Sequence, residues 1–313
     1  MLGRANNLRA GLFAAVTVCS ATPWSSPGVA LLLGLSFGLC NLNPAAGLTA
    51  AGSKWMLKAS VVGLGFGMNI GAVFRTGQAT LLYTGWGIAL GVLLGLTLGR
   101  ALSVSRNAAY LIAVGTSICG GSAIAAVAPI VGADDDETAV SLSTVFLLNA
   151  VALFAFPAIA GHLGLSQAQF GLWAAMAIHD TSSVVGAGLK YGAASLAIAT
   201  TVKLVRALWI LPVSALTAIV LRSRGRVGVP WFIALFLGAA WMRSALPEAD
   251  PVWKFCATLA RGTLACALFL IGASLSVASL QRVGWRILAQ GVLLWVVVAA
   301  TSLILIERGW IHL

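Results

Sequence analysis

Residues 107–132 read NAAYLIAVGTSICGGSAIAAVAPIVG: two apolar arms joined at Thr116-Ser117-Ile118-Cys119-Gly120-Gly121-Ser122 by hydroxyls and a glycine pair. Residues 167–189, QAQFGLWAAMAIHDTSSVVGAGL, have the same form, with His179-Asp180-Thr181-Ser182-Ser183 at the centre. Each stretch is near the ~20 residues that cross a hydrocarbon core, yet neither centre suits lipid. A buried aspartate is costly there unless it has a partner or a task. Each stretch therefore reads as a helix that stops, exposes backbone and restarts. Gly120 and Gly121 permit the break, and Ser122, Ser182 or Ser183 is the expected cap of a restarted half-helix.

The rest of the chain puts those breaks in a membrane. Of 313 residues, 60% are hydrophobic and 9% charged, against roughly 25% charged in a soluble domain. The apolar residues come in blocks at about 8–22, 28–42, 56–74, 79–99, 108–131, 138–161, 167–189, 193–221, 229–245, 253–277 and 285–306. Such blocks must be helical, because backbone amides cannot be left open to lipid. The expected fold is an all-α polytopic membrane protein of about 11 transmembrane helices. It forms a single transmembrane transporter domain over residues 1–313. The formal charge of +11 does not point to nucleic acid, because the basic residues stand singly or in pairs between apolar blocks. There they act as topology signals.

Eleven basic residues fall on the N-terminal side: Arg4, Arg9, Lys54, Lys58, Arg100, Arg106, Arg222, Arg224, Arg226, Arg282 and Arg286. Five fall opposite: Arg75, Lys190, Arg243, Lys254 and Arg308. The N-terminus is expected in the cytoplasm and the C-terminus outside, in a cell inner membrane. A shift of 207 residues places Gly65, Arg75, Gly77 and Leu81 on Gly272, Arg282, Gly284 and Leu288, with Ala72 on Ser279. Pro-led spans begin at Pro27 and Pro230, so repeat-like segments run over about 27–99 and 230–306, flanking a broken-helix core at about 107–212. Inverted repeats with two discontinuous helices near the midplane are a transporter signature. Whether the two interrupted spans cross fully or are re-entrant stays open. Labelling at Asp135 separates the two arrangements.

A restarted half-helix presents free N–H groups and the positive end of its dipole, which suits an anion. Candidate substrate-binding residues are Ser117, Cys119, Gly120, Gly121, Ser122, Thr181, Ser182 and Ser183. Lys203 and Arg206, three apart in the span 193–221, either neutralise an anion, pair with Asp180, or snorkel to an interface. His179 and Asp180 are the coupling-ion candidates, with Asn149 beside them as a membrane amide. Asn69 is a second such amide, expected to hydrogen-bond between helices. Asp134-Asp135-Asp136-Glu137 reads as a helix start rather than a metal cluster. The five cysteines show no pairing or ligand spacing. No phosphate-binding loop, HExxH or GxSxG occurs, so neither an ATP-driven pump nor a familiar hydrolase is indicated, and no cofactor is implied.

Residues 116–160 and 169–212 resemble the YeiH-like sulfate exporter family, and GLGFGMNI (63–70) is similar to that family's glycine-rich third span. The resemblance implies a place beside bile-acid and cation/proton transporters, with inverted repeats and broken helices that cross near the midplane. It also implies export of sulfate or small organosulfonates. The expectation is a secondary active transporter of such anions, coupled to H+ or Na+, in a lipid bilayer, with no enzymatic activity and room for a homodimer. An anion channel and a membrane-embedded enzyme or sensor are the alternatives.

Overall fold

The computed structural model describes residues 2–22, 27–222, 231–275, 277, 281 and 283–312, and among them the chain is all helical. Arg224, Arg226, Pro230, Ser279 and Arg282 lie outside the described residues, and with them part of the 207-residue repeat pattern. Helices α1 to α4 span Leu2–Ser20, Pro27–Leu39, Ala46–Gly65 and Ile70–Ala101. Next come α5 (Arg106–Ser117), α6 (Gly121–Val131), α7 (Asp135–Leu163), α8 (Gln167–Ala177) and α9 (Thr181–Tyr191). They are followed by α10 (Ala193–Leu208), α11 (Ile210–Leu221), α12 (Trp231–Ala245), α13 (Asp250–Ser274) and α14 (Trp285–Glu307). Among the described residues, five stretches are long and apolar enough to cross a membrane: Ile70–Ala101, Asp135–Leu163, Ala193–Leu221, Pro247–Ser274 and Trp285–Glu307.

The chain divides into two compact units, Met1–Val73 with Trp231–Ala278, and Phe74–Pro230 with Ser279–Leu313. In the first, α13 is central and packs on α1, α2 and α3. Its contact with α2 needs small residues: a Cβ on Gly34 would stand 2.1 Å from the Phe269 carbonyl oxygen, and one on Gly272 2.6 Å from that of Leu31. Phe13, Phe37 and Phe269 fill the space beside this contact, with ring centroids 5.3–5.9 Å apart. The apolar run 56–74, expected as one span, is divided. Helix α3 stops at Gly65 and α4 begins at Ile70. Among the described residues Asn69 makes no bond across helices, contrary to expectation; its Oδ1 accepts from Ala72 N–H and starts α4.

The second unit holds both interrupted stretches, and each is a hairpin. In the first, α5 and α6 lie against each other, and a Cβ on Gly115 would stand 2.8 Å from Ile124 Cδ1. The chain returns to where it entered: Ser105 Oγ and Asn107 Nδ2, at the start of α5, donate to Glu137 in the first turn of α7 at 2.6 and 3.0 Å. The second hairpin, α8–α9, closes the same way. Ala194 N–H donates to Gln167 Oε1 at 3.0 Å, Tyr191 Oη donates to Leu165 O at 2.6 Å, and the Phe170 and Tyr191 rings stack at 4.1 Å. The two stretches therefore turn back rather than run on in line, and crossing broken helices, implied by the resemblance, are not the arrangement seen. Arms of 11 residues in α6 and α9 rise about 16 Å at ~1.5 Å per residue, about half of a ~30 Å hydrocarbon core.

The hairpins are alike in plan. The first has arms of 12 and 11 residues followed by the 29-residue α7. The second has arms of 11 and 11 followed by a 29-residue stretch, Ala193–Leu221. That last stretch is tightened at Trp209, where Pro212 removes the donor to the Leu208 carbonyl. The hairpin mouths lie at opposite ends of α7, one at Glu137 and the other just past Leu163. Helix α14 braces both: Gln290 Nε2 donates to Gly95 O and Ala109 O, Trp295 Nε1 to Ala177 O, and Trp173 Nε1 of α8 donates back to Ala299 O.

Candidate functional site

The two tips meet inside the second unit. Helix α5 ends at Ser117, and α6 restarts after Ile118, Cys119 and Gly120. Helix α8 ends at Ala177, and α9 restarts after Ile178, His179 and Asp180. Gly120 sits at φ +67, ψ −129, a conformation open to glycine because it lacks a Cβ. A Cβ there would also stand 3.2 Å from Val145 Cγ1 and 3.4 Å from both the nitrogen and Cα of Asp180. The glycine at one tip is thus fitted to the backbone of the other.

Four helix ends converge at the tips. The carbonyl ends of α5 and α8 carry partial negative charge, and α10 supplies the cations that meet it. Lys203 Nζ donates to Ile178 O at 2.7 Å and to Ala175 O at 3.4 Å. Arg206 Nη1 donates to Ala175 O at 3.1 Å and to Met176 O, while its Nη2 donates to Ser117 O of the other hairpin. Both side chains are buried, at 0% and 3% exposure, so snorkelling is overturned. Neither forms an ion pair with Asp180 among the described residues, whose salt bridges all lie at Asp250. Their partners are helix-end carbonyls, a use for which the planar Arg fork is well shaped.

The two restarting ends differ. At α9 the cap is Asp180, not Ser182 or Ser183: its carboxylate accepts from Ser182 N–H at 3.0 Å and from Ser182 Oγ. At α6 the cap position is Gly120, not Ser122, and it offers no side chain. Ser122 is exposed and Gly121 half-buried, whereas Cys119, Thr181, Ser182 and Ser183 are buried. Asn149, on α7, accepts the Asp180 backbone N–H on Oδ1 at 3.1 Å, and its Nδ2 has no partner among the described residues. His179 is fully buried with both ring nitrogens unpartnered, 6.1 Å from the Trp295 ring. Unsatisfied polar atoms inside a protein are few and call for an explanation; here Thr116 Oγ1 and Ser117 Oγ lie with them at the first break.

The candidate binding and coupling residues therefore come from one region, the two tips, Asn149 of α7 and the face of α10 beneath them. Asp134 to Glu137 lie apart from it at the mouth of the first hairpin. They form a capping box in which Glu137 N–H donates to Asp134 Oδ1 at 2.7 Å, which suits the expected helix start. Trp295 and the mouth residue Gln167 were not singled out from sequence, and Glu137 only as part of a helix start, because a lone Trp and ordinary first-turn acids or amides look alike in any helix.

The comparisons agree with this picture of a membrane-embedded chain. It is 47% identical over 305 residues (97% of its length and 98% of the relative's) to UPF0324 membrane protein GSU2818 of Geobacter sulfurreducens. It is 49% identical over 287 residues (90% and 87%) to a UPF0324 membrane protein of Porphyromonas gingivalis. It is 48% identical over 297 residues (93% and 91%) to UPF0324 membrane protein Bd1437 of Bdellovibrio bacteriovorus. No solved structure matches the chain. The family model described as conserved hypothetical protein 698 matches residues 10–291, and the chain belongs to that family of UPF0324 membrane proteins.

Proposed function

We propose that the protein is a secondary active transporter of small oxyanions, sulfate or organosulfonates, working by alternating access in the inner membrane. One observation carries the reading: two helix hairpins of half-membrane depth meet at their tips, with helix ends, buried cations and unpartnered polar groups gathered there. Interrupted helices with binding groups at midplane depth are how many secondary transporters hold a polar ligand inside a bilayer. Two hairpins of equal plan, entering from opposite ends of α7, have the form of an inverted repeat. The resemblance to the YeiH-like sulfate exporter family points to the same substrates.

In this reading the hydroxyls and amides of the tips bind the anionic head. Lys203 and Arg206 hold the tips together and supply positive charge. Asp180 and His179 are the groups that load H+ or Na+. Two hairpins that return to their own sides remove crossings in a pair. The termini then stay on opposite membrane faces, the N-terminus cytoplasmic, as the basic residues suggest. Proteoliposomes holding the purified protein and loaded with radiolabelled sulfate or taurine provide the test. Saturable, counterflow-competent release that responds to an imposed H+ or Na+ gradient is the expected result, and liposomes no leakier than protein-free controls would overturn it.

A further inference from the structure

The two restarting helices occupy equivalent places in the two hairpins, each of 11 residues, yet their amino ends are treated differently. Sixty positions separate Gly120 from Asp180, the residues just before α6 and α9. In the second hairpin that position carries a carboxylate, which takes the Ser182 N–H and so fills the positive pole of α9 from within the protein. In the first hairpin it carries no side chain and so makes no side-chain cap; the neighbouring Cys119 thiol is bonded by the Ala123 N–H, which leaves the Gly121 and Ser122 amides aside. The Ala123 and Ile124 N–H groups bond to Gly120 O. Those of Gly121 and Ser122 have no partner among the described residues, and Ser122 is exposed.

A second observation comes from α7. Asn149 is 4% exposed. Its Oδ1 is committed to the Asp180 N–H, which fixes the orientation of the amide, because a backbone N–H needs an acceptor. The atom left over is Nδ2, a buried donor with no acceptor. Val145, one turn earlier on the same face of α7, is the residue nearest the place where a Gly120 Cβ would stand, and the next nearest atoms belong to Asp180, the residue Asn149 holds. Asn149 is therefore a spare donor beside the uncapped pole, and its one good ligand oxygen is already used. That is the wrong chemistry for a cation and the right chemistry for an anion.

We infer that the anionic head of the substrate is bound at the amino end of α6, on the Gly121 and Ser122 amides and Asn149 Nδ2, taking there the part that the Asp180 carboxylate takes at α9. This rests on the transport reading and sharpens it. Asn149 moves from the coupling-ion set to the anion set, and Thr181 to Ser183 leave the anion set because their pole is already filled.

The test is anion binding to purified full-length protein in detergent, followed by calorimetry with sulfate and methanesulfonate as probes. Asn149→Asp keeps an oxygen for the Asp180 N–H and replaces the spare donor with a carboxylate oxygen, which also brings a buried negative charge when ionised. It should weaken both anions at least tenfold, and because the added charge alone repels an anion, uncharged Asn149→Leu is measured beside it and should weaken both at least tenfold as well. Wild-type binding matched by Asn149→Asp would overturn the inference and leave the transport reading standing. A wild-type protein that binds neither anion would sink both. Should Asn149→Asp fail to fold, Asn149→Leu, of similar shape and without polar atoms, decides alone; tenfold loss supports the assignment and unchanged affinity refutes it.

Discussion

Arg206 Nη2 donates to the carbonyl of Ser117, so a side chain on the helix that follows the second hairpin closes the carboxyl end of an arm in the first. The same guanidinium bonds the end of α8 through Ala175 O and Met176 O. One residue thus ties both tips. Arg206→Ala leaves three buried carbonyls without these donors, and at ~1–3 kcal/mol for an unsatisfied buried polar group the loss should be several kcal/mol. Arg206→Lys should recover only part, because an ammonium cannot fork to two helix ends. Thermal melting of the detergent-solubilised variants gives the ranking wild type, Lys, Ala. A Lys variant as stable as the wild type would show that charge alone suffices.

Asp180 separates a structural task from a chemical one. As the cap of α9 it can be replaced by Asn, which caps a helix about as well, whereas Ala forfeits roughly 1 kcal/mol. Asp180→Asn should therefore melt close to the wild type and yet lose gradient-driven anion flux, because the carboxylate proposed to load H+ or Na+ is gone. Flux at the wild-type rate in Asp180→Asn liposomes would remove Asp180 from coupling.

The hairpin geometry makes a topological prediction. Glu137 meets Ser105 and Asn107 at the mouth of the first hairpin, so Asp135 lies on the membrane side from which α5 enters. A single cysteine at Asp135 should react with an impermeant maleimide from the same side as one at Arg106, which the distribution of basic residues puts in the cytoplasm. Labelling of the two positions from opposite sides would mean that residues 107–132 cross.

Two glycines with nearly the same φ should respond differently to alanine. Gly132, at φ +66, has nothing within 4 Å of an added Cβ, so Gly132→Ala bears only the left-handed penalty of roughly 1–2 kcal/mol. Gly120, at φ +67 with ψ −129, adds an unfavourable region of backbone space. It also adds contacts at 3.2 and 3.4 Å to Val145 and Asp180. Gly120→Ala should melt measurably below Gly132→Ala and lose transport, whereas Gly132→Ala keeps it. Equal melting temperatures would mean that the tips do not hold each other.

The positions of the breaks were legible in the sequence because their chemistry is incompatible with a continuous membrane helix: Gly120-Gly121 offers no side chains, and His179-Asp180 is too costly to leave facing lipid. Their shape was not. Whether a broken span runs on or turns back depends on contacts such as Gln167 with Ala194 and Ser105 with Glu137. Gln167 and Glu137 look like routine first-turn residues until the partner is known. The 207-residue shift in the sequence does not relate the two hairpins, whose matching arms are offset by about 60 residues. At that offset identities are scattered, among them Ile118 with Ile178, Ser122 with Ser182 and Gly132 with Gly192, so the hairpins share arm lengths more than residues. The choice of cap was misjudged for a related reason. Hydroxyls at Ser122 and at Thr181-Ser182-Ser183 resemble caps, but the cap position is the residue before the first helical turn: Asp180 fills it with its carboxylate at α9, and Gly120 leaves it without a side chain at α6.

Arg206 and Lys203 donate to carbonyls rather than to carboxylates, and Arg206 Nε has no partner among the described residues. With both cations and Asp180 ionised and His179 neutral, the empty tips hold one unbalanced positive charge. A monovalent anion would cancel it, and a divalent one would reverse its sign. A charge displaced across the full membrane potential experiences about 2.3 kcal/mol per 100 mV. Each H+ or Na+ loaded at Asp180 and His179 adds one positive charge to these balances, so with one such ion the unloaded and the sulfonate-loaded forms would feel the field, whereas the sulfate-loaded form would not.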